Sequence, residues 1–353
     1  MIRVLVVDDS VVIRRLVTQT LERDPDITVV GTAADGRLAL AKVAQLDPDV
    51  VTLDIEMPRM NGIETVAALR AAGRRVPVIM FSTLTERGAA ATLDALTAGA
   101  TDYVTKPSGT GSVATALERV GAELVPKIKA LVPQRTRAAA TARPAGGRAV
   151  PTARRANPVK PVRAVVVGSS TGGPEALRRV LSELDSPLPV PMLIVQHMPP
   201  VFTRQLAERL DRVGPMTVVE AAGDEPLLPG HAYLAPGGRH LEVVGQGAGV
   251  RTLLTDGPPV NFTRPAVDVL FRSAVRVLGG DLLALVLTGM GSDGRDGAGE
   301  IARAGGHVLA QDEQTSVVWG MPGAVTTAGH AHQVLPVGTI AQALAAATSG
   351  TRP

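Results

Sequence analysis

Cysteine is absent from the 353 residues, which excludes disulfides, thiolate metal sites and cysteine nucleophiles. Any covalent chemistry must use oxygen or nitrogen. Also missing is an apolar run of membrane-spanning length, and the opening MIRVLVVDDS carries two acids where a signal peptide would be apolar. The expectation is a cytoplasmic chain with no membrane insertion. A third lack is local: residues 133 to 161 hold seven basic side chains and no acid. Removing those seven from the chain's net +3 leaves −4, so the parts able to fold are mildly acidic. The basic stretch is rich in Ala, Pro, Gly and Arg, has no periodic apolar face, and has no aromatic between its arginines. It reads as a disordered tether between domains rather than a nucleic-acid arm.

What is present is globular: 45% of residues are hydrophobic, enough for two or three cores in a chain of this length. In the first part, five β-like runs (IRVLVV, ITVVG, DVVTL, VPVIMF, DYVT) alternate with helical stretches such as GRLALAKVAQL. That alternation predicts a doubly wound α/β domain with a parallel sheet, whose functional groups gather beyond the carboxyl ends of its strands. Asp8 and Asp9 follow the first run, Asp54 the third, Ser82 the fourth and Lys106 the fifth. Three carboxylates at one sheet edge repel unless a cation compensates them, and Mg2+ suits a few carboxylates plus water. Asp54 is then the expected phosphoryl acceptor. Lys106 would hold phosphoryl oxygens, and Ser82 would donate a hydrogen bond formed only after phosphorylation.

VLVVDDS, LDIEMPRMNG and DYVTKP closely resemble the motifs of response-regulator receiver domains. The resemblance covers about residues 1–125. It implies a flavodoxin-like fold, Mg2+ at Asp8, Asp9 and Asp54, a switch formed by Ser82, Tyr103 and Lys106, and phosphorylation by a histidine kinase.

Beyond the linker, three apolar runs end in reactive residues: GSSTGGPEAL follows the first, His197 closes PMLIVQH, and Asp293 lies in the glycine loop after LLALVLTG. A serine, a histidine and an aspartate on three strand-to-helix turns of one parallel sheet make the inventory of a hydrolase triad. Each also has a plainer reading. A hydroxyl at 169, 170 or 171 would cap the following helix, His231 and His240 rival His197, and Asp293 would cap the helix after it. GMGSDG, residues 289 to 294, also matches the dinucleotide fingerprint, with Asp312 at the end of a later run. Asp293 and Asp296 put negative charge where a pyrophosphate needs bare amides, which argues against nucleotide.

GSSTGGPEAL, VQHMPPVFT, YLAPGGRHL, RPAVDVLFRS, LTGMGSDGRDG and WGMPGAV are similar, in order, to the motifs of the chemotaxis protein-glutamate methylesterase family, CheB. The resemblance implies a Rossmann-like α/β catalytic domain over 162–349, joined by a linker at 126–161 to the receiver. It implies that Ser170 attacks methylated chemoreceptor glutamates and releases methanol, with His197 as base and Asp293 orienting it, and that receptor glutamines are deamidated. Backbone amides around Thr171 and Met290 would bind the oxyanion, and Arg264 would contact groups flanking the substrate. No cofactor is expected in the esterase site. The unphosphorylated receiver is expected to cover the triad. A receiver-controlled binding module and a dinucleotide-binding protein are the alternatives, and a DNA-binding output is disfavoured because the second half lacks a compact helix-turn-helix.

Overall fold

Strands of almost unbroken Val, Ile, Leu and Ala are stable only when both faces are covered, and such strands form two parallel sheets in the computed structural model. Residues 1–106, 113–132 and 161–349 are described. The chain divides into two compact units, Met1–Gly146 and Gly147–Pro353.

The first unit alternates β1 (Ile2–Val7), α1 (Val11–Leu21), β2 (Ile27–Ala33), α2 (Gly36–Leu46), β3 (Val50–Asp54), α3 (Gly62–Ala71), β4 (Val78–Ser82), α4 (Glu86–Thr97), β5 (Asp102–Thr105) and α5 (Val113–Leu131). Its sheet runs β2-β1-β3-β4-β5, all pairs parallel, the order of flavodoxin-like folds. The starts of four helices follow from local chemistry: Ser10, Asp35, Asn61 and Thr85 each accept a hydrogen bond at the N-terminus of α1, α2, α3 and α4.

One boundary moves. The linker expected from 126 begins later, because α5 continues to Leu131 and buries Ile128 and Leu131 on the stripe begun by Val120 and Leu124. Pro126 inside the helix hides this continuation in the sequence. The rest of the basic stretch, and the tether reading made for it, lies outside the described residues.

The second unit contains β6 (Ala164–Ser169), α6 (Gly173–Ser182), β7 (Met192–Gln196), α7 (Pro200–Leu210), β8 (Thr217–Glu220), β9 (His231–Leu234), β10 (His240–Val244), β11 (Arg251–Thr255), α8 (Val267–Leu278), β12 (Leu282–Val286), α9 (Arg295–Arg303), β13 (His307–Gln311), α10 (Met321–Thr327), β14 (Gln333–Leu335) and α11 (Val337–Thr348). Seven strands form a sheet in the order β14-β13-β12-β6-β7-β9-β8, with every pair parallel. Both doubly wound sheets expected from the sequence are therefore present. The antiparallel pair β10–β11 was not expected.

One packing contact sets up the catalytic edge. A Cβ at Gly168 would lie 2.4 Å from Val267 Cγ1, so this glycine lets the start of α8 rest directly on the end of β6. The buried stripe Val267, Leu270, Phe271, Ala274 and Leu278 holds the helix there, each large side chain contributing about 1.5–3 kcal/mol.

Candidate active site

Ser170, His197 and Asp293 follow β6, β7 and β12, which are adjacent in the sheet as β12-β6-β7. The sheet thus brings together positions 27 and 96 residues apart in sequence, the separations of Ser170 from His197 and of His197 from Asp293. His197 is tied to the β6 end directly, its N–H donating to Ser169 O at 3.1 Å.

The three hydroxyls of the first turn have separate roles. Ser169 is buried as the last residue of β6, and its Oγ donates to Gln196 Oε1 at 2.7 Å. Ser170 is the first residue off the strand and only half-buried. Thr171 is buried, and its carbonyl accepts from Thr288 Oγ1 at 2.9 Å. None caps the next helix, since the N-cap of α6 is Gly172, left-handed at φ 76° and without a side-chain bond. Gln196 fastens the turn: its Nε2 donates to Ser170 O at 2.9 Å and to His197 O at 3.3 Å. Gly173 allows this, because a Cβ there would be 2.0 Å from Gln196 Oε1.

His197 Nε2 and Asp293 Oδ2 are 2.8 Å apart. Thr263 Oγ1 lies 3.3 Å from the same ring nitrogen and 3.4 Å from Asp293 Oδ2. Asp293 is buried among donors. Its Oδ2 accepts from Val267 N at 2.7 Å, and its Oδ1 accepts from Asp268 N at 3.0 Å, Gly294 N at 3.0 Å and Asn261 Nδ2 at 2.9 Å. Burial pushes this carboxyl up, but the His197 interaction, the Val267 amide and the Asn261 amide outweigh it and hold it below its ordinary value. The capping role considered for Asp293 is real but belongs to another helix: it caps the start of α8, while α9 has left-handed Gly294 as its N-cap. Asp268 is a second buried carboxylate, pushed up by burial and bonded by Gly297 N at 2.8 Å and Asn261 Nδ2 at 3.0 Å.

The rival histidines are structural. His240 is buried, with Nε2 3.0 Å from Pro258 O and Nδ1 accepting from Ala266 N at 3.2 Å. His231 Nδ1 meets Pro229 O at 3.0 Å, and its ring stacks on Tyr233.

The glycine loop after β12 serves the same edge. A Cβ on Gly289 would lie 2.8 Å from Ser170 Cβ and 2.3 Å from Met321 Sδ, so glycine is required for the loop to press on the serine. Met290, next along, has an exposed side chain. Asp312, the acid that completed the nucleotide fingerprint, instead caps a turn through Thr315 N and Oγ1 at 3.0 and 2.5 Å. Arg264 Nη1 donates to Asp256 O at 3.1 Å and Gly257 O at 2.9 Å, so its visible contacts fasten its own loop.

In the first unit, the ends of β1, β3, β4 and β5 carry the expected set. Lys106 Nζ is 2.7 Å from Asp54 Oδ1 and 3.1 Å from Asp8 Oδ2. Burial is the main influence raising Asp54, to about 6, with Asp8 adding to it and Lys106 opposing it. Among the described residues, Asp8, Asp9 and Asp54 form a group whose ligand oxygens lie within 4.8 Å of one another. Asp8 Oδ2 is buried with no well-directed hydrogen bond, a site chemistry that fits a divalent ion. Ser82 Oγ is 2.6 Å from Thr92 Oγ1 and donates to Gly88 O at 3.1 Å, linking the end of β4 to α4. Tyr103 is buried on β5, and burial raises its phenol well above its ordinary value. Lys127 Nζ lies 5.1 Å from the centre of its ring.

Gln196, Asn261, Thr263 and Asp268 were not singled out from the sequence. Gln196 had a usable signal, its place immediately before His197. The other three lie in and just after a loop whose local pattern gives no hint of its distant partner.

Residues 165–344 match the CheB methylesterase family, and residues 4–118 match the response regulator receiver domain. A protein-glutamate methylesterase/protein-glutamine glutaminase of Nocardioides sp. is 61% identical over 342 residues, covering 95% of this chain and 92% of the relative. A protein of the same name from Trichodesmium erythraeum is 44% identical over 344 residues, covering 96% of this chain and 97% of the relative. The crystal structure of the Thermotoga maritima CheB methylesterase catalytic domain is similar at 42% identity and TM-score 0.51, covering 53% of this chain and 98% of that one.

Proposed function

The chain belongs to the CheB methylesterase family and carries a response regulator receiver domain, and from that premise we propose that Ser170, His197 and Asp293 perform its chemistry. It is a protein-glutamate methylesterase and protein-glutamine glutaminase under receiver control. Its substrates are chemoreceptors, and its activator is a kinase acting on the receiver.

Ser170 Oγ attacks the γ-carbonyl of a methylated glutamate while His197 takes the hydroxyl proton. His197 returns that proton to the leaving methoxide, releasing methanol and leaving a glutamyl ester on Ser170. Water, deprotonated by the same ring, then frees the glutamate. With glutamine, ammonia leaves in the first step. The amides of Met290 and Thr171 are assigned to the oxyanion, a role worth about 3 kcal/mol per donor. The supporting observation is the 2.8 Å bond between His197 and a buried Asp293, beside Ser170 on the middle of three adjacent strands. An activated phosphonate ester should covalently tag Ser170, with peptide mass mapping excluding Ser169. Tagging at Ser169, or at neither serine, contradicts the assignment.

On the receiver, Asp54 accepts the phosphoryl group from a histidine kinase. Magnesium held by Asp8, Asp9 and Asp54 would supply the positive charge that steadies the group during transfer. Lys106 pairs with its oxygens, and Ser82 leaves Gly88 and Thr92 to donate to it, which releases its hold on α4; buried Tyr103 completes the switch. The unphosphorylated receiver restrains the esterase, and phosphorylation lifts that restraint. No helix among the described residues is long and apolar enough to cross a membrane, and the chain is assigned to the cytoplasm.

A further inference from the structure

Asn261 and Phe262 are the two central residues of a tight turn closed by reciprocal backbone hydrogen bonds between Val260 and Thr263, each 3.0 Å. Both are left-handed, at φ 51° and 64°. A two-residue turn of that hand favours asparagine followed by glycine, because a Cβ is strained there. Asn261 suits the first position and is employed, its amide bridging Asp268 and Asp293.

Phe262 does not suit the second. A bulky aromatic in left-handed backbone is an outlier, and this one gains nothing by packing: it is 103% exposed, whereas Phe81, Phe202 and Phe271 are all buried. The fold would be served better by glycine. Backbone strain kept without a packing return is a mark of function, and the neighbours say which function. On one side Asn261 Nδ2 lies 2.9 Å from Asp293, and on the other Thr263 Oγ1 lies 3.3 Å from His197. Exposed apolar side chains also attend the serine: Met290 follows Gly289, whose backbone abuts Ser170, and Val317 packs against Gly172.

We propose that Phe262 is a specificity-determining residue that packs against an apolar side chain of the substrate protein beside the glutamate being processed. This rests on the methylesterase reading. The reacting group is a small ester or amide, alike on any protein, so discrimination must come from what flanks it. An exposed aromatic supplies contact area at the cost of only two side-chain torsions. Its attachment to the turn that holds Asp293 fixes that contact relative to the triad.

The test uses the full-length protein, with and without a phosphodonor, and two substrates: methylated chemoreceptor in membranes and a small soluble ester, N-acetylglutamate γ-methyl ester. Phe262→Gly should raise KM for the receptor about tenfold, the size of effect seen when an interfacial aromatic is removed. Both kcat and small-ester hydrolysis should stay within about twofold, since the triad is untouched. The melting temperature should hold or rise as strain is relieved. Phe262→Leu should restore most of the receptor KM. An unchanged receptor KM in Phe262→Gly overturns the proposal, and so does a parallel loss on the small ester, which would make Phe262 a support of the triad. A rise in small-ester hydrolysis without phosphodonor also overturns it, assigning Phe262 to the chain's own receiver. A wild type that releases no methanol from either substrate removes the methylesterase reading itself, an outcome distinct from all of these.

Discussion

His197 meets Asp293 through Nε2, at 2.8 Å from Oδ2, which leaves Nδ1 for the proton exchange with Ser170 that the proposed mechanism requires. The pairing fixes the tautomer: a proton on Nε2, shared with the carboxylate, makes Nδ1 the base. The carboxylate in turn is fixed by the start of α8.

Asp293→Asn should therefore be severe. An amide cannot accept at both ends, yet both carboxylate oxygens face N–H donors. The substitution should lower kcat by about 10³–10⁴-fold, the loss expected when a triad histidine is held in the wrong tautomer. Methanol release from methylated receptor checks it, with circular dichroism showing that the variant is folded.

The same carboxyl contributes to acid stability. Its folded pKa lies below the ordinary value, so the folded state binds fewer protons than the unfolded one across that interval. Its contribution is fully present above the unfolded value of about 3.9 and is lost as pH falls through the folded value. Urea unfolding of wild type and Asp293→Asn should show a stability gap at about pH 4 that shrinks as the pH falls further. A gap that persists unchanged through the acid range contradicts this.

Ser169 and Ser170 should separate cleanly. Ser169→Ala removes one buried hydrogen bond to Gln196, costing about 1–3 kcal/mol of stability while leaving most of the activity. Ser170→Ala should abolish methanol release without comparable loss of stability. Gln196→Leu removes the amide that holds both Ser170 and His197 by their carbonyls and should lower kcat about 10–100-fold, as small misplacements of reacting groups do.

Much of this was legible because doubly wound sheets expose function at strand ends. Asp8, Asp54, Ser82 and Lys106 in one unit, and Ser170 and His197 in the other, each stand where an apolar run stops, and Asp293 lies in the glycine loop that follows one. Supporting residues were hidden because their partners are tertiary. Nothing near Asn261 or Asp268 announces Asp293, and Arg264 reads as a free cation until Asp256 and Gly257 turn their carbonyls toward it. The end of α5 was hidden by Pro126, a residue that locally argues against helix.

Magnesium should bind the receiver through Asp8 and Asp54. At a hundredfold excess over its Kd it should stabilise the receiver by about 2.7 kcal/mol. Asp8→Asn should remove most of that gain, and chelation should reverse it. Thermal unfolding of the full chain, with the receiver transition followed separately, measures both.

The most direct measurement is methanol release from methyl-labelled chemoreceptor membranes by wild type, Ser170→Ala and Asp54→Asn, each with and without magnesium and acetyl phosphate. The expected result is release by wild type that rises with the phosphodonor, none from Ser170→Ala, and basal release from Asp54→Asn that the phosphodonor does not change. Release that persists in Ser170→Ala, or stimulation that survives Asp54→Asn, would contradict the account.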